Sequence, residues 1–161
     1  MSVHAELPTV AGQDDGCPGR EGAVADSSPQ RTYFLAPLAG YTDLPFRRAC
    51  RRFGCFYAYT ALIDAGALVH KNHHNRTILA RGMDEPWLGT QVLGALPTVL
   101  REAGRMLRGM GFDEVDLNMG CPVPKVTQRG AGAALGLDRD RALTCASALM
   151  EGYGGPITVT M

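Results

Sequence analysis

Asn118 and Cys121 stand three residues apart in the stretch "VDLNMGCPVPK", residues 115 to 125, where an apolar run with polar side chains in it breaks into a Gly-Cys-Pro turn. The turn sets an accessible-looking thiol and an amide directly after an apparent strand, with proline on the far side. Gln91, in "PWLGTQVLG", offers a second amide of the kind that reads a heterocycle with alternating donors and acceptors. In "APLAGYTD" the small residues Ala36, Ala39 and Gly40 let a flat ligand approach the backbone. Each has a plainer reading: a lone cysteine after a strand is ordinarily structural, Gln91 a polar sheet residue, the small residues a tight turn.

Chemistry requires elements that bring these groups together. "YFLAPL" reads as a buried strand, followed by a helix in "DLPFRRACRRFG" with Asp43 as N-cap, Pro45 in its first turn and Gly54 as its stop. Phe46, Ala49, Cys50 and Phe53 are spaced for one face of that helix, which predicts that Cys50 is core. "CFYAYTALI" is a second strand, residues 64–81 are partly helical, and "PWLGTQVLG" is a third strand. Leu96 to Met110 form an amphipathic helix, with Pro97 near its start and Gly111 past its end. "EVDLN" is a fourth strand, Arg139 to Met150 a helix capped by Asp138 that buries Ala142, Cys145, Ala146 and Leu149, and "PITVT" a fifth strand. About five strands alternating with four helices predict an α/β parallel sheet with right-handed crossovers, open or curled into a barrel. In both forms the working residues lie beyond the carboxyl ends of the strands.

Composition narrows the setting. With 45% apolar and 20% charged residues in 161, the chain can bury a core, and no apolar run nears the roughly 18 residues that cross a bilayer. The five cysteines are scattered without a C-x-x-C pair, which argues against a disulfide framework or zinc knuckle and suits a reducing, cytoplasmic setting. Residues 1–30, rich in Gly, Pro, Ser and Asp, read as a flexible tail, leaving 31–161 as the folded part. That tail holds five acidic side chains against Arg20, whereas "RRACRR" packs Arg47, Arg48, Arg51 and Arg52 together. Such a run suits a polyanionic partner or, more commonly, a solvated helix face. His70, His73 and His74 find no carboxylate or cysteine at suitable spacing to complete a metal site, so a solvated turn is expected.

Four blocks, "LAPLAGYTDLPFR", "GTQVLG", "DLNMGCPVPKV" followed by "GAGAAL", and "PITV", lie between Tyr33 and Val159 in the order and spacing of a known family. The chain resembles the tRNA-dihydrouridine synthases, flavoproteins built on a (β/α)8 TIM barrel. The dihydroorotate dehydrogenases, another flavin barrel, fit less well because "NMGCPVPK" is particular to the tRNA enzymes. The resemblance implies FMN as cofactor, NADPH as reductant, and tRNA as the partner in which a uridine is reduced to 5,6-dihydrouridine. It implies that Cys121 is the catalytic proton donor, a task suited to a thiol, which in water stays largely protonated at neutral pH yet gives up its proton readily. It further implies that Pro37, Leu38 and Ala39 line the flavin and that Gln91 hydrogen-bonds its ring. Asn118 would sit near flavin and substrate, and Lys125 would meet nucleic-acid backbone.

The chain also departs from the family. A (β/α)8 barrel needs eight units and typically ~250 residues, so five strands make an incomplete barrel, the N-terminal portion. Phosphate sites in such barrels commonly lie after strands seven and eight, so the FMN phosphate site is expected to be missing. Thr160 stands where the family pattern has a flavin-contacting lysine. These departures carry the alternative of a catalytically inactive half-barrel: an unstable truncation product, or an interaction module whose open edge a partner chain covers.

Overall fold

Side chains alternate across a strand, so the sheet has two faces, and the sequence assigns each a different chemistry. The computed structural model describes residues 33–70 and 74–161; the expected tail and His73 lie outside them, as does the side chain of His74. The strands are β1 (Phe34–Leu35), β2 (Tyr57–Tyr59), β3 (Ile63–Asp64), β4 (Trp87–Leu93), β5 (Glu114–Asn118) and β6 (Ile157–Thr160). The helices are α1 (Leu44–Arg51), α2 (Ala65–Val69), α3 (His74–Ile78), α4 (Pro97–Arg108), α5 (Pro124–Thr127), α6 (Ala133–Gly136) and α7 (Arg139–Tyr153). Every strand pair is parallel, in the order β1-β2-β4-β5-β6 with β3 also on β4. The curled sheet with its helices is an incomplete (β/α)8 barrel.

One face is apolar. Ala58, Ile63, Leu88, Val92, Val115 and Leu117 pack there with Leu100, Ala103 and Leu107 of α4 and Cys145 and Leu149 of α7. The two helices meet closely at Gly104 and Gly152: a Cβ on Gly104 would lie 2.7 Å from the Leu149 carbonyl oxygen, and one on Gly152 would collide with that of Arg101. Asp43 caps α1 by accepting from the Phe46 N–H at 2.9 Å, Asp138 caps α7 through the Arg141 N–H, and Gly154 ends α7 at φ 67°.

The second expected strand is broken in two. Tyr57–Tyr59 pair with Trp87–Gly89 and Ile63–Asp64 with Val92–Leu93, so the stretch between them holds one more residue than the β4 segment opposite. Such an insertion is a bulge, which interrupts alternation and is invisible to a periodicity reading. The partly helical stretch resolves into α2 and α3, and the short α5 and α6 after β5 carry too few residues to show a period.

The α1 face reading is overturned. Phe53 is 91% exposed and Phe46 39%, Ala49 is exposed and Cys50 half-buried, while the fully buried residue is Arg47. Arg47 donates from Nε and Nη2 to the two Glu85 carboxylate oxygens at 2.8 and 2.9 Å, and from Nη1 and Nη2 to the carbonyls of Thr42 and Ala80. Arg51 Nη2 lies 2.7 Å from Glu85 Oε1 as a second ion pair, and Arg48 pairs with Asp84. Arg47 and Arg51 are thus spent inside the fold, while Arg48 and Arg52 stay at the surface: the buried carboxylate of Glu85 draws the helix in by its basic side, since a buried charge is tolerable only when paired.

Burial opposes ionisation of Glu85, but the Arg47 guanidinium and the Gly82 N–H at 2.8 Å override it and hold the carboxyl at about 2 against an ordinary 4.5. A carboxyl lowered on folding stabilises above its ordinary range and ceases to do so as pH falls through the folded value. The wild-type chain should therefore lose about 3 kcal/mol from this group between pH 4.5 and 2, read as a falling urea midpoint. Glu85→Gln should lose roughly 3–5 kcal/mol at neutral pH by leaving two guanidinium groups without their carboxylate, and should lack that part of the acid dependence.

Candidate active site

The second face of the sheet is built in rows. Phe34, Tyr57 and Trp87 form an aromatic layer at the amino ends of the strands, with ring centroids 5.2 to 5.8 Å apart. Above it Tyr59, Gly89 and Glu114 lie in register. Gly89 has no side chain because the Tyr59 ring covers it, which lets the Tyr59 hydroxyl reach across and donate to Glu114 Oε1. Burial and this bond to a carboxylate both push the Tyr59 phenol well above its ordinary value. The next row is Gln91, Asp116 and Thr158, and the last is Asn118 beside Thr160.

At the carboxyl end of β5 the side chain of Asn118 turns back on the backbone that follows it. Its Oδ1 accepts from the N–H groups of Cys121 at 3.0 Å and Gly120 at 3.3 Å, setting the Gly-Cys-Pro turn. From the other side the Cys121 carbonyl accepts from the Ala133 N–H at 3.0 Å. Gly132, at φ 58°, allows this approach, because a Cβ there would collide with that carbonyl oxygen. The "GAGAAL" stretch thus clasps the turn bearing Cys121, which is partly exposed.

Asn118 Nδ2 donates to Gln91 Oε1 at 3.1 Å, and Gln91 Nε2 donates to Asp116 Oδ2 at 2.7 Å. The Thr160 hydroxyl donates to the same Asp116 oxygen at 2.9 Å, and Thr158 to Asp116 Oδ1 at 2.9 Å. Of the residues expected from sequence, Cys121, Asn118 and Gln91 are therefore joined in one hydrogen-bonded chain. Pro37, Leu38 and Ala39 lie past β1, where Thr42 Oγ1 accepts from the Leu38 N–H at 2.9 Å and returns a bond to the Leu38 carbonyl. Leu38 and Ala39 are exposed. Lys125, also exposed, opens α5 and borders a cleft of about 430 Å³ with Asp64, Leu93 and Arg129. There Arg129 donates to Asp64 at 2.6 Å; burial opposes ionisation of Asp64, and the Ala67 N–H and Arg129 lower its carboxyl nonetheless. Asp116 and Gly132 escaped the sequence reading, although Glu114, Asp116 and Asn118 at every second position already mark a polar strand face. No group of three metal-ligating side chains gathers among the described residues.

The donor set suits a flat heterocycle. Gln91 Oε1 accepts one bond and keeps a second lone pair, and Asn118 Nδ2 gives one N–H and keeps the other. A ring presenting a donor and an acceptor could take both, beside a β1 loop where a Cβ on Gly40 would meet nothing within 4 Å.

The Gly132 clasp gives a direct check. Gly132→Ala should cost a few kcal/mol, roughly the sum of a strained φ and a backbone collision, and should alter the alkylation rate of Cys121 in the folded protein while Cys145 in the core stays protected. Urea unfolding and peptide-resolved alkylation measure the two effects.

The family model for dihydrouridine synthase matches residues 34–161, the whole span from β1 onward. A probable tRNA-dihydrouridine synthase of Rickettsia conorii is 35% identical over 128 residues, covering 79% of this chain and 39% of the relative. The tRNA-dihydrouridine synthase B of Pseudomonas aeruginosa is 34% identical over 126 residues, covering 78% and 38%, and a probable tRNA-dihydrouridine synthase of Treponema pallidum is 31% identical over 114 residues, covering 70% and 34%. The chain spans less than half the length of these relatives. On the family match and the parallel sheet beneath it, the chain belongs to the dihydrouridine synthase family.

Proposed function

We propose that this chain carries the proton-donating half of a tRNA uridine reduction site. The observation that carries the reading is Cys121, held by the Asn118 side chain at the carboxyl edge of a parallel sheet, where barrels of this kind place their working residues. FMN, reduced by NADPH, supplies hydride to C6 of the base when bound. The residues of the chain do the rest. The Cys121 thiol delivers a proton to C5 from the opposite side, and the resulting thiolate is reprotonated from solvent. Gln91 and Asn118 offer their remaining acceptor and donor to the ring edges, and Pro37, Leu38 and Ala39 form the surface against which a flat ring lies. Lys125 on its exposed helical turn meets phosphate, which supplies much of the affinity for nucleic acid. The base must leave its stack to reach Cys121, at a cost of a few kcal/mol.

A second reading, a half-barrel that works by pairing with another chain, is favoured by the exposure of Val159 at 41% on edge strand β6 and of Phe34 at 44% on edge strand β1.

The test is the dihydrouridine content of tRNA in cells lacking the gene that encodes these residues, complemented with the whole wild-type gene or with the same gene carrying Cys121→Ala. Loss on deletion, recovery with wild type and a deficit of at least about 10²-fold in rate with Cys121→Ala are expected. Full recovery by Cys121→Ala would remove the proposed donor, and an unchanged dihydrouridine content on deletion would remove the activity. The purified 161-residue chain is expected to be colourless, checked by flavin absorbance.

A further inference from the structure

We infer that Asp116 is a positioning residue that sets the direction of the hydrogen bonds holding the Cys121 turn, acting through Gln91 and Asn118. The inference rests on the proposed role of Cys121 and adds a residue that does not touch the reacting atoms. Asp116 is 3% exposed, Gln91 2% and Asn118 9%, so water does not substitute readily for any partner along the chain.

The direction is specified at both ends. A carboxylate only accepts, so Asp116 Oδ2 requires the Nε2 end of Gln91, at 2.7 Å. That leaves Gln91 Oε1 facing Asn118, which must answer with Nδ2, at 3.1 Å. Asn118 Oδ1 is then left for the N–H groups of Gly120 and Cys121, which can only donate. Reversing either amide would set donor against donor at one end or acceptor against acceptor at the other. Both side chains could flip freely in isolation; between a fixed acceptor and two fixed donors they cannot. Thr160 and Thr158 hold the anchor itself, through Asp116 Oδ2 and Oδ1. Among the described residues the hydrogen-bond partners of Asp116 are the neutral Gln91, Thr158 and Thr160, so what the relay needs from residue 116 is an acceptor aimed at Gln91, not its charge.

Isosteric exchanges test this, read by amide hydrogen exchange at Gly120 and Cys121 in the whole chain, with the core amides of Val115 and Leu117 reporting global opening. Asp116→Asn should leave Gly120 and Cys121 protected as in wild type. Its carbonyl can still face Gln91, while its new N–H groups donate to the Thr158 hydroxyl, whose single proton then turns from residue 116 to Glu114 Oε1, 2.8 Å away. Gln91→Glu sets two carboxylates against each other and should speed exchange at Gly120 and Cys121 roughly tenfold, about the worth of one hydrogen bond. The double variant Asp116→Asn with Gln91→Glu should restore protection, because the amide introduced at position 116 now donates to an acceptor at position 91 that still receives Asn118 Nδ2. Recovery in the double variant, even where Gln91→Glu opens the core as well, supports the relay. Unprotected amides in Asp116→Asn, an unaffected turn in Gln91→Glu, or a double variant no better than Gln91→Glu would each overturn it. No arm involves tRNA or flavin, so a failed relay and a failed reduction chemistry are distinguishable.

Discussion

A carboxylate without water must find its counter-charge inside the protein, and Glu85 is where this fold meets that requirement. It lies two residues before β4, and its partners come from α1, from the loop before it and, through Arg47, from the carbonyl of Thr42. Thr42 in turn holds Leu38 by two bonds, so the loop beyond β1 hangs from the same buried pair. The energy of such a pair is not a net gain over apolar packing. Its contribution is geometric: removing one partner strands the other, so the loop and the start of β4 are committed to one arrangement.

The two loops of the candidate site are thereby held by the same device at different places. In each, a buried carboxylate reaches loop backbone through intermediate polar groups: Glu85 through Arg47 to Thr42, and Asp116 through Gln91 and Asn118 to Cys121. The apolar face of the sheet, packed on α4 and α7, could not do this, since dispersion contacts have no direction. Hydrophobic packing closes the sheet on its helices, and directional bonds aim what stands at its edge.

How much of this was legible in the sequence follows from which interactions are local. Strand β5 matches its expected bounds because Val115 and Leu117 alternate with polar residues over five positions, α4 shows in its apolar stripe and the Pro97 at its start, and α7 in its buried residues and the Asp138 cap. The resemblance pointed to Cys121 and Asn118 because the whole turn is one short motif. The inward face of α1 was misjudged because its determinant, Glu85, lies 38 residues away in sequence, and periodicity takes arginine for solvent and phenylalanine for core. The break between β2 and β3 was missed for a similar reason: a bulge is defined by the register of the neighbouring strand, which a single strand does not carry. Gly132 read as one small residue among several, and only the path of the Cys121 carbonyl beside it shows why nothing larger fits.

The rows on the second face order the chemistry along the strands. Aromatic rings fill the amino end, a phenol and a carboxylate follow, then a carboxylate with an amide and hydroxyls, and finally an amide and a thiol at the carboxyl edge. Most donors and acceptors within the lower rows are matched to one another, and toward the top Gln91 keeps a lone pair and Asn118 an N–H unspent. A ligand resting beyond the strand ends would therefore meet free hydrogen-bonding groups without breaking any bond of the fold, and Cys121 would face it from a turn already set. That is the advantage of spending the polar groups below the site on each other: the groups above arrive oriented, and binding need not order them.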